Sequence, residues 1–232
     1  MVSFKFNLLN LKKIKYVADI GCGNGRHLKS LGMILKQAEI RGFDHSIEEI
    51  NKLKWEFQNH NCQNNNLYQF FNQDIREIEL SSNSQDLVIC SEVLEHVPNF
   101  KKVIEECKRV LKPSGVMLIS VPSYLPERLC CWNYSKKYMQ SPGGHIRIFK
   151  REYLKKSIED QGLKIFKFHR EHALHSFYWI FKAKNNMEDS KFTKSIHEIL
   201  IKQMFGKAWF SAYLEKCLNP FFGKSDCFYL RK

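Results

Sequence analysis

The stretch Tyr16-Val-Ala-Asp-Ile-Gly-Cys-Gly-Asn-Gly-Arg26 decides the fold. An apolar run, read as a strand over 15–20, enters a turn with Gly21, Gly23 and Gly25, and a helix-like stretch from Arg26 to Gln37 follows at once. Glycines in such a turn permit backbone torsions and close approaches that a side chain would block. A strand–turn–helix of this kind lays a ligand against bare backbone and a helix N-terminus. The spacing here is G-x-G-x-G, not the G-x-G-x-x-G of a dinucleotide-binding turn. Asp19 stands two residues before the first glycine. A buried acid there repels a pyrophosphate and suits a ligand that carries a cation, such as a sulfonium or an ammonium.

Outward from this turn, strands and helices alternate. Strands are expected over 38–43, ending at Asp44, over 67–71, ending near Asp74, and over 86–90, 116–121 and 163–168. Helices are expected over 46–58, 99–111 and 149–161, the first opened by Ser46 and Glu49 as a capping box. Strands separated by helices of this length imply a parallel sheet covered on both faces, wound both ways by right-handed crossovers. Ligands of such sheets bind beyond the C-terminal strand ends. Asp19, Asp44, Asp74 and the Ser91-Glu92 pair all fall there, so the acids converge on one rim.

The last quarter breaks the alternation. Residues 172–183 are rich in aromatics, 191–218 read as one long helix stopped by Asn219-Pro220 and Gly223, and 225–230 read as a final strand. No internal repeat or low-complexity linker is visible, so one domain over 1–232 is expected, with 172–223 a helical cap inserted before the last strand.

Composition narrows the class. A 232-residue chain with 44% hydrophobic residues can bury a substantial core. No apolar run approaches the roughly 20 residues of a membrane span, and the N-terminus lacks the order of a signal peptide. Eight cysteines without a C-x-x-C pair are expected as reduced thiols, which places the protein in the cytoplasm. The net charge of +13 favours anionic neighbours, though a lysine-rich composition produces the same figure without any partner.

Five elements, in order, carry a family resemblance. They are Asp19-Ile-Gly-Cys-Gly-Asn-Gly25, Asp44 closing strand two, Asp74 in Asn-Gln-Asp-Ile, Ser91-Glu-Val-Leu-Glu-His-Val97 and Val110-Leu-Lys-Pro-Ser-Gly-Val116. Over residues 15–168 the chain resembles class I S-adenosylmethionine-dependent methyltransferases. The resemblance implies a Rossmann-like, doubly wound α/β fold: a seven-stranded, mostly parallel sheet with an antiparallel last strand. It implies S-adenosylmethionine as cofactor. Asp19 and the loop of Gly21, Cys22, Gly23 and Gly25 would hold its methionine end, Asp44 its ribose hydroxyls, and Asp74 with the Ile75 backbone its adenine amino group. Ser91 and Glu92 would shape the same site. Carboxylates suit these roles as charge-assisted acceptors. The departure is at the N-terminus, where about fourteen residues precede strand one in place of several helices.

Glu92, Glu95 and His96 stand at i, i+3 and i+4, which puts them on one face of a helix, and His145 follows strand five. Two carboxylates and two imidazoles make a divalent-metal set. The arrangement resembles ubiquinone-pathway O-methyltransferases and small-RNA ribose methyltransferases, the latter using such residues for a metal. In other relatives the same residues pack or shape the cofactor site. A divalent metal is not expected, and His145 and His96 are the candidate catalytic bases. Ser91-Glu92 replaces an N-P-P-Y tetrad, and no cysteine nucleophile motif occurs, which leaves oxygen methylation.

The expected acceptor is a small molecule or a lipid-like molecule, with no DNA. A ribose methyltransferase acting on RNA and a non-catalytic S-adenosylmethionine-binding protein are the alternatives. In the cap, Trp179, Phe181, Phe205, Trp209, Phe210, Tyr213, Phe221 and Phe222 among lysines form either a core or a peripheral contact with an anionic membrane.

Overall fold

The computed structural model describes residues 2–59, 63–134, 144–185, 188, 190–204 and 207–232. Seven strands form one sheet: β1 (Tyr16–Ile20), β2 (Glu39–Asp44), β3 (Leu67–Asn72), β4 (Gln85–Ser91), β5 (Leu111–Pro122), β6 (Lys164–Glu171) and β7 (Ser225–Arg231). Their order is β3-β2-β1-β4-β5-β7-β6. The first five pair in parallel, and β7 runs antiparallel to both β5 and β6. The chain moves outward from β1 to β3, then returns to the other side of β1 as β4. That reversal opens a crevice at the β1–β4 strand ends, where ligands of such sheets bind.

Alternation within the strands feeds two cores. Val17, Leu87 and Ile89 face a layer with Leu28, Leu31, Ile50 and Leu53 from α1 (Arg26–Ile34) and α2 (Ile47–Asn59). Ala18, Ile20, Val88 and Cys90 face the opposite layer, with Ile104, Leu154 and Ile158 from α3 (Phe100–Val110) and α5 (Arg151–Glu159). Successive side chains of a strand point to opposite faces, so a strand buried on both faces is apolar throughout. Phe4 and Phe6 of the short N-terminal segment complete the first layer.

Several expectations change. Half of the capping box forms: Ser46 Oγ accepts the Glu49 N–H at 3.3 Å, but Asp44 Oδ1 takes the Ser46 N–H at 2.9 Å in place of Glu49. Lys112-Pro-Ser-Gly, which stands between the helix expected over 99–111 and the strand expected over 116–121, lies within β5, and the register there jumps from Gln85↔Leu111 to Leu87↔Val116. A helix not read from the sequence, α4 (Tyr124–Tyr134), follows β5 and packs against α6 (Ala173–Lys184). Pro126 is tolerated in its first turn, where backbone N–H groups lack intrahelical partners.

The long helix expected over 191–218 is two helices, α7 (Lys191–Met204) and α8 (Trp209–Phe222). α8 runs through Pro220 to Phe222, and its last carbonyls are met from β6. Arg170 Nη1 donates to the carbonyls of Pro220 and Phe221 at 3.0 and 3.1 Å, and the Gly223 N–H donates to the Asn219 carbonyl at 3.0 Å. α6, α7 and α8 stand between β6 and β7, where the inserted helices were expected. Phe205 and Gly143 lie outside the described residues. The seven described cysteines are unpaired thiols. No helix of the described residues is long and apolar enough to cross a membrane.

Candidate active site

A cleft of about 850 Å³ opens beyond the ends of β1, β2 and β4. Its walls include Gly21, Gly23, Asp44, Asp74, Ile75 and Glu92. Gly21 has a φ of +74°, and a Cβ there would lie 2.4 Å from Val93 Cγ2, so only glycine brings the backbone this close. The Gly21 and Cys22 N–H groups donate to the Phe43 carbonyl at 2.7 and 3.0 Å, which pins the turn to β2. The Cys22 thiol turns into the core beside Gly42, and Gly25 faces Leu53. These two positions therefore shape the turn through their backbone and present no side chain to the cleft.

Asp19 is 1% exposed, and neither of its carboxylate oxygens has a hydrogen-bond partner. Burial pushes its pKa up to about 7, against the pull of the neighbouring Arg26 and with help from Asp44. A buried carboxylate without partners is costly, and an incoming cationic donor would relieve it. Asp44 Oδ2 accepts the Gly23 N–H at 2.8 Å, tying the end of β2 to the glycine turn. Asp74 sits on the cleft's outer lip, where Arg76 holds its carboxyl down at about 2 through contacts of 2.5–3.0 Å. Ser91 turns away from the cleft: its Oγ accepts from Arg26 Nη2 at 3.0 Å and lies 2.8 Å from Ser120 Oγ. Arg26, not singled out from the sequence, thus joins the glycine turn to β4. Its signal was present, as a cation immediately after the last glycine.

The residues that were expected on one helix face lie in a turn, because Asn99 caps α3 and the helix begins only at Phe100. Glu92 takes a φ of +56°, held by its N–H on the Ser120 carbonyl at 2.9 Å and by Ser120 Oγ donating to Glu92 Oε1 at 3.1 Å. The turn nevertheless gathers the expected chemistry. The Ile146 N–H donates to the Glu95 carbonyl at 3.0 Å, which docks the His145 segment against it. The His96 and His145 rings lie 4.8 Å apart, and His96 Nδ1 is 3.3 Å from the Gly144 carbonyl. His145 Nδ1 is 2.5 Å from Glu127 Oε1 on α4, so a buried carboxylate orients that imidazole. Glu127 escaped the sequence reading because α4 itself did.

Glu95 is fully buried, neither oxygen is hydrogen-bonded, His96 Nε2 lies 3.8 Å from its Oε1, and burial raises its pKa well above the usual carboxylate range. Burial and the neighbouring His145 hold the His96 pKa below normal. Glu95, His96 and His145 each offer one ligand atom, all within 4.8 Å of one another. Glu92, the fourth member of the metal set read from the sequence, is not in this group and bonds Ser120 instead. The trio has the donor types for a divalent ion, with room for non-protein ligands. The Glu127–His145 pair has the form of an oriented general base.

Residues 11–193 match the methyltransferase domain family. Over 114 residues the chain is 33% identical to a ubiquinone biosynthesis O-methyltransferase of Dechloromonas aromatica, covering 49% of this chain and 47% of that protein. A protein of the same name from Haemophilus ducreyi is 35% identical over 111 residues, covering 46% and 44%. The chain spans about half the length of the curated relatives it matches. A putative sarcosine dimethylglycine methyltransferase from Galdieria sulphuraria superposes with a TM-score of 0.61 at 18% identity, over 96% of this chain and 80% of that one, which bears on the fold alone. The chain belongs to the methyltransferase domain family, as a class I S-adenosylmethionine-dependent methyltransferase.

Proposed function

We propose that the chain methylates an oxygen of a small-molecule or lipid-like acceptor, with His145, oriented by Glu127, as the general base. The carrying observation is Asp19, a buried carboxylate without partners beneath a glycine turn. S-adenosylmethionine supplies a methyl group activated by a sulfonium. Asp19 meets the ammonium of its methionine end, and the Arg26 guanidinium complements the adjoining carboxylate. Asp44 accepts from the ribose hydroxyls. Asp74 shares its carboxylate between Arg76 and the adenine amino group, with the Ile75 backbone beside it. Glu92, its backbone fixed by Ser120, closes the inner wall. His145 would accept the acceptor's hydroxyl proton as the new C–O bond forms at the expense of the methyl–sulfur bond, with S-adenosylhomocysteine as the leaving group, and Glu127 would stabilise the imidazolium. His96 is the alternative base. Positioning and proton removal of this kind typically contribute about 10²–10⁴-fold.

A lipid-like acceptor would be met at a membrane, and α8 favours that branch. Trp209, Phe210, Tyr213, Leu214 and Phe221 face outward, with Trp209 80% exposed, while Ser211, Glu215 and Asn219 are buried. Exposed Lys191, Lys194, Lys202, Lys207 and Lys216 lie along α7, α8 and their junction. An apolar helix face ringed by lysines suits peripheral contact with an anionic bilayer.

The test is a screen with methyl-labelled cofactor over phenols, lipid-linked hydroxyls and RNA, with and without chelator. Label in a small-molecule or lipid fraction that persists in chelator is the expected result. Label in RNA alone, or no transfer to any acceptor, overturns the proposal. Loss in chelator with recovery in Mg²⁺ or Mn²⁺ transfers His145, Glu95 and His96 from base chemistry to a metal site.

A further inference from the structure

The segment that carries His145 contributes to two cavities. Gly144 and Ile146 line the cleft, whereas Ile148 and Lys150 line a separate cavity of about 540 Å³ together with Tyr124, Arg128 and Tyr153. Tyr124 and Arg128 stand four residues apart on α4, which places them on one face of the helix whose Glu127 orients His145. Tyr153 belongs to the first turn of α5. A ligand in this cavity would touch α4 and the His145 segment at once, the two elements that the Glu127–His145 contact joins.

The wall holds two positive side chains and no acid. Among the described residues neither Arg128 nor Lys150 forms an ion pair. The acids of the packed elements are engaged elsewhere or stand outside the wall. Glu127 meets His145, and Asp226 meets Arg151, Arg170 and Ser123. Glu152, the acid in the first turn of α5, does not line the cavity. The other cations of this region are engaged as well: Arg147 donates to the Leu94 and Pro98 carbonyls at 3.4 and 2.7 Å, and Arg151 Nε lies 3.4 Å from Asp226 Oδ2. The two phenol rings are set by neighbours. The Tyr153 ring meets Phe100 edge-on with centres 6.1 Å apart, and the Arg128 guanidinium lies 5.9 Å from the centre of the Tyr124 ring.

We propose that this cavity is a second ligand site and binds a phosphate ester carried on a planar ring. A guanidinium fork and an ammonium together suit the charge and the several acceptor oxygens of a phosphate better than those of a singly charged carboxylate. Tyrosine hydroxyls add donors, and phenol faces give a flat ring a surface to lie against. A cavity of this size is in the range that holds a small molecule. The site stands apart from the methyl-transfer reading, because none of its wall residues lines the cleft.

The test titrates phenyl phosphate, inorganic phosphate and phenol by calorimetry into the full chain saturated with S-adenosylhomocysteine, which keeps the probes out of the cleft. Phenyl phosphate should bind about tenfold more tightly than either fragment. Arg128→Gln combined with Lys150→Gln should weaken phenyl phosphate by about tenfold or more. Tyr153→Leu should bring phenyl phosphate down to the level of inorganic phosphate. S-adenosylhomocysteine affinity should be unchanged in every variant, which also reports that they fold. Uridine 5′-monophosphate should displace phenyl phosphate; displacement by phosphatidylglycerol vesicles but not by the nucleotide overturns the planar-ring assignment in favour of a lipid headgroup. Equal binding of phenyl phosphate and inorganic phosphate overturns it too. Equal binding of phenyl phosphate and phenol, no binding of phenyl phosphate, or binding that survives the Arg128 and Lys150 changes overturns the site itself. Failure of wild type to bind S-adenosylhomocysteine would count against the methyl-transfer reading and not against this site, which the same titrations without that ligand would still test.

Discussion

Around the glycine turn, apolar side chains face the sheet and polar ones gather at the cleft; in α8 the order is reversed. Val17, Ala18 and Ile20 are fully buried, and Asp19 and Asp44 meet the ligand-facing rim. In α8, Ser211, Glu215 and Asn219 point inward while Trp209, Phe210, Tyr213 and Phe221 face solvent. The inward polar row has a local cause. Asn219 caps the start of α6, and Glu215, whose pKa burial raises, bonds the Leu174 backbone and Gln203. A carboxylate at a helix N-terminus is favourable. The first region uses hydrophobic burial to aim its acids; the second uses its interior for capping and leaves its apolar surface outside. Cofactor chemistry and acceptor handling should therefore respond to different substitutions.

The sharpest separation should come at His145. His145→Ala should lower kcat by about 10²–10⁴-fold and leave S-adenosylhomocysteine affinity within about twofold. Steady-state rates paired with calorimetry check this. A parallel loss of cofactor binding would show that the imidazole belongs to the cofactor wall and break the division.

The sequence made some of this division legible and hid the rest, for physical reasons. Asp19 and Asp44 could be found because they stand at the C-terminal ends of apolar strands, and Asp74 because it follows one by two residues. The same locality misled at Glu92, Glu95 and His96. Their spacing fits a helix, but Pro98 and Asn99 delay the helix to Phe100, and the residues converge through hydrogen bonds to the distant 144–146 segment. Glu127 lies on a helix whose apolar residues show little periodicity, so it carried no signal. In α8, helical spacing told which residues share a face but not which face turns inward. That depended on the needs of α6, a partner packed from elsewhere in the chain.

A smaller effect is expected at the outer face of α8. Trp209→Ala with Phe221→Ala should reduce co-sedimentation with phosphatidylglycerol vesicles by about tenfold, and added salt should reduce wild-type binding as well. Cofactor affinity should not move. Vesicle binding that survives both changes, or that ignores salt, would remove α8 from the membrane-facing role.

The central claim is that the glycine turn with Asp19 and Asp44 binds the cofactor, and calorimetric titration of S-adenosylhomocysteine across pH tests it most directly. The folded pKa of Asp19, about 7, lies above its ordinary 3.8. Folding therefore favours the protonated form, and the stability of the ligand-free protein should fall as pH rises from about 4 to about 7. Binding an ammonium requires the ionised form, so affinity should run the other way. One site of about micromolar Kd is expected at pH 8, weakening by about tenfold per unit below pH 7, with proton release on binding. Asp19→Asn should abolish that pH dependence while raising the melting temperature at pH 8. Asp44→Ala should weaken binding by about 1.5–3 kcal/mol through loss of a charged acceptor. No binding at any pH, or a pH-independent affinity untouched by either substitution, would contradict the account.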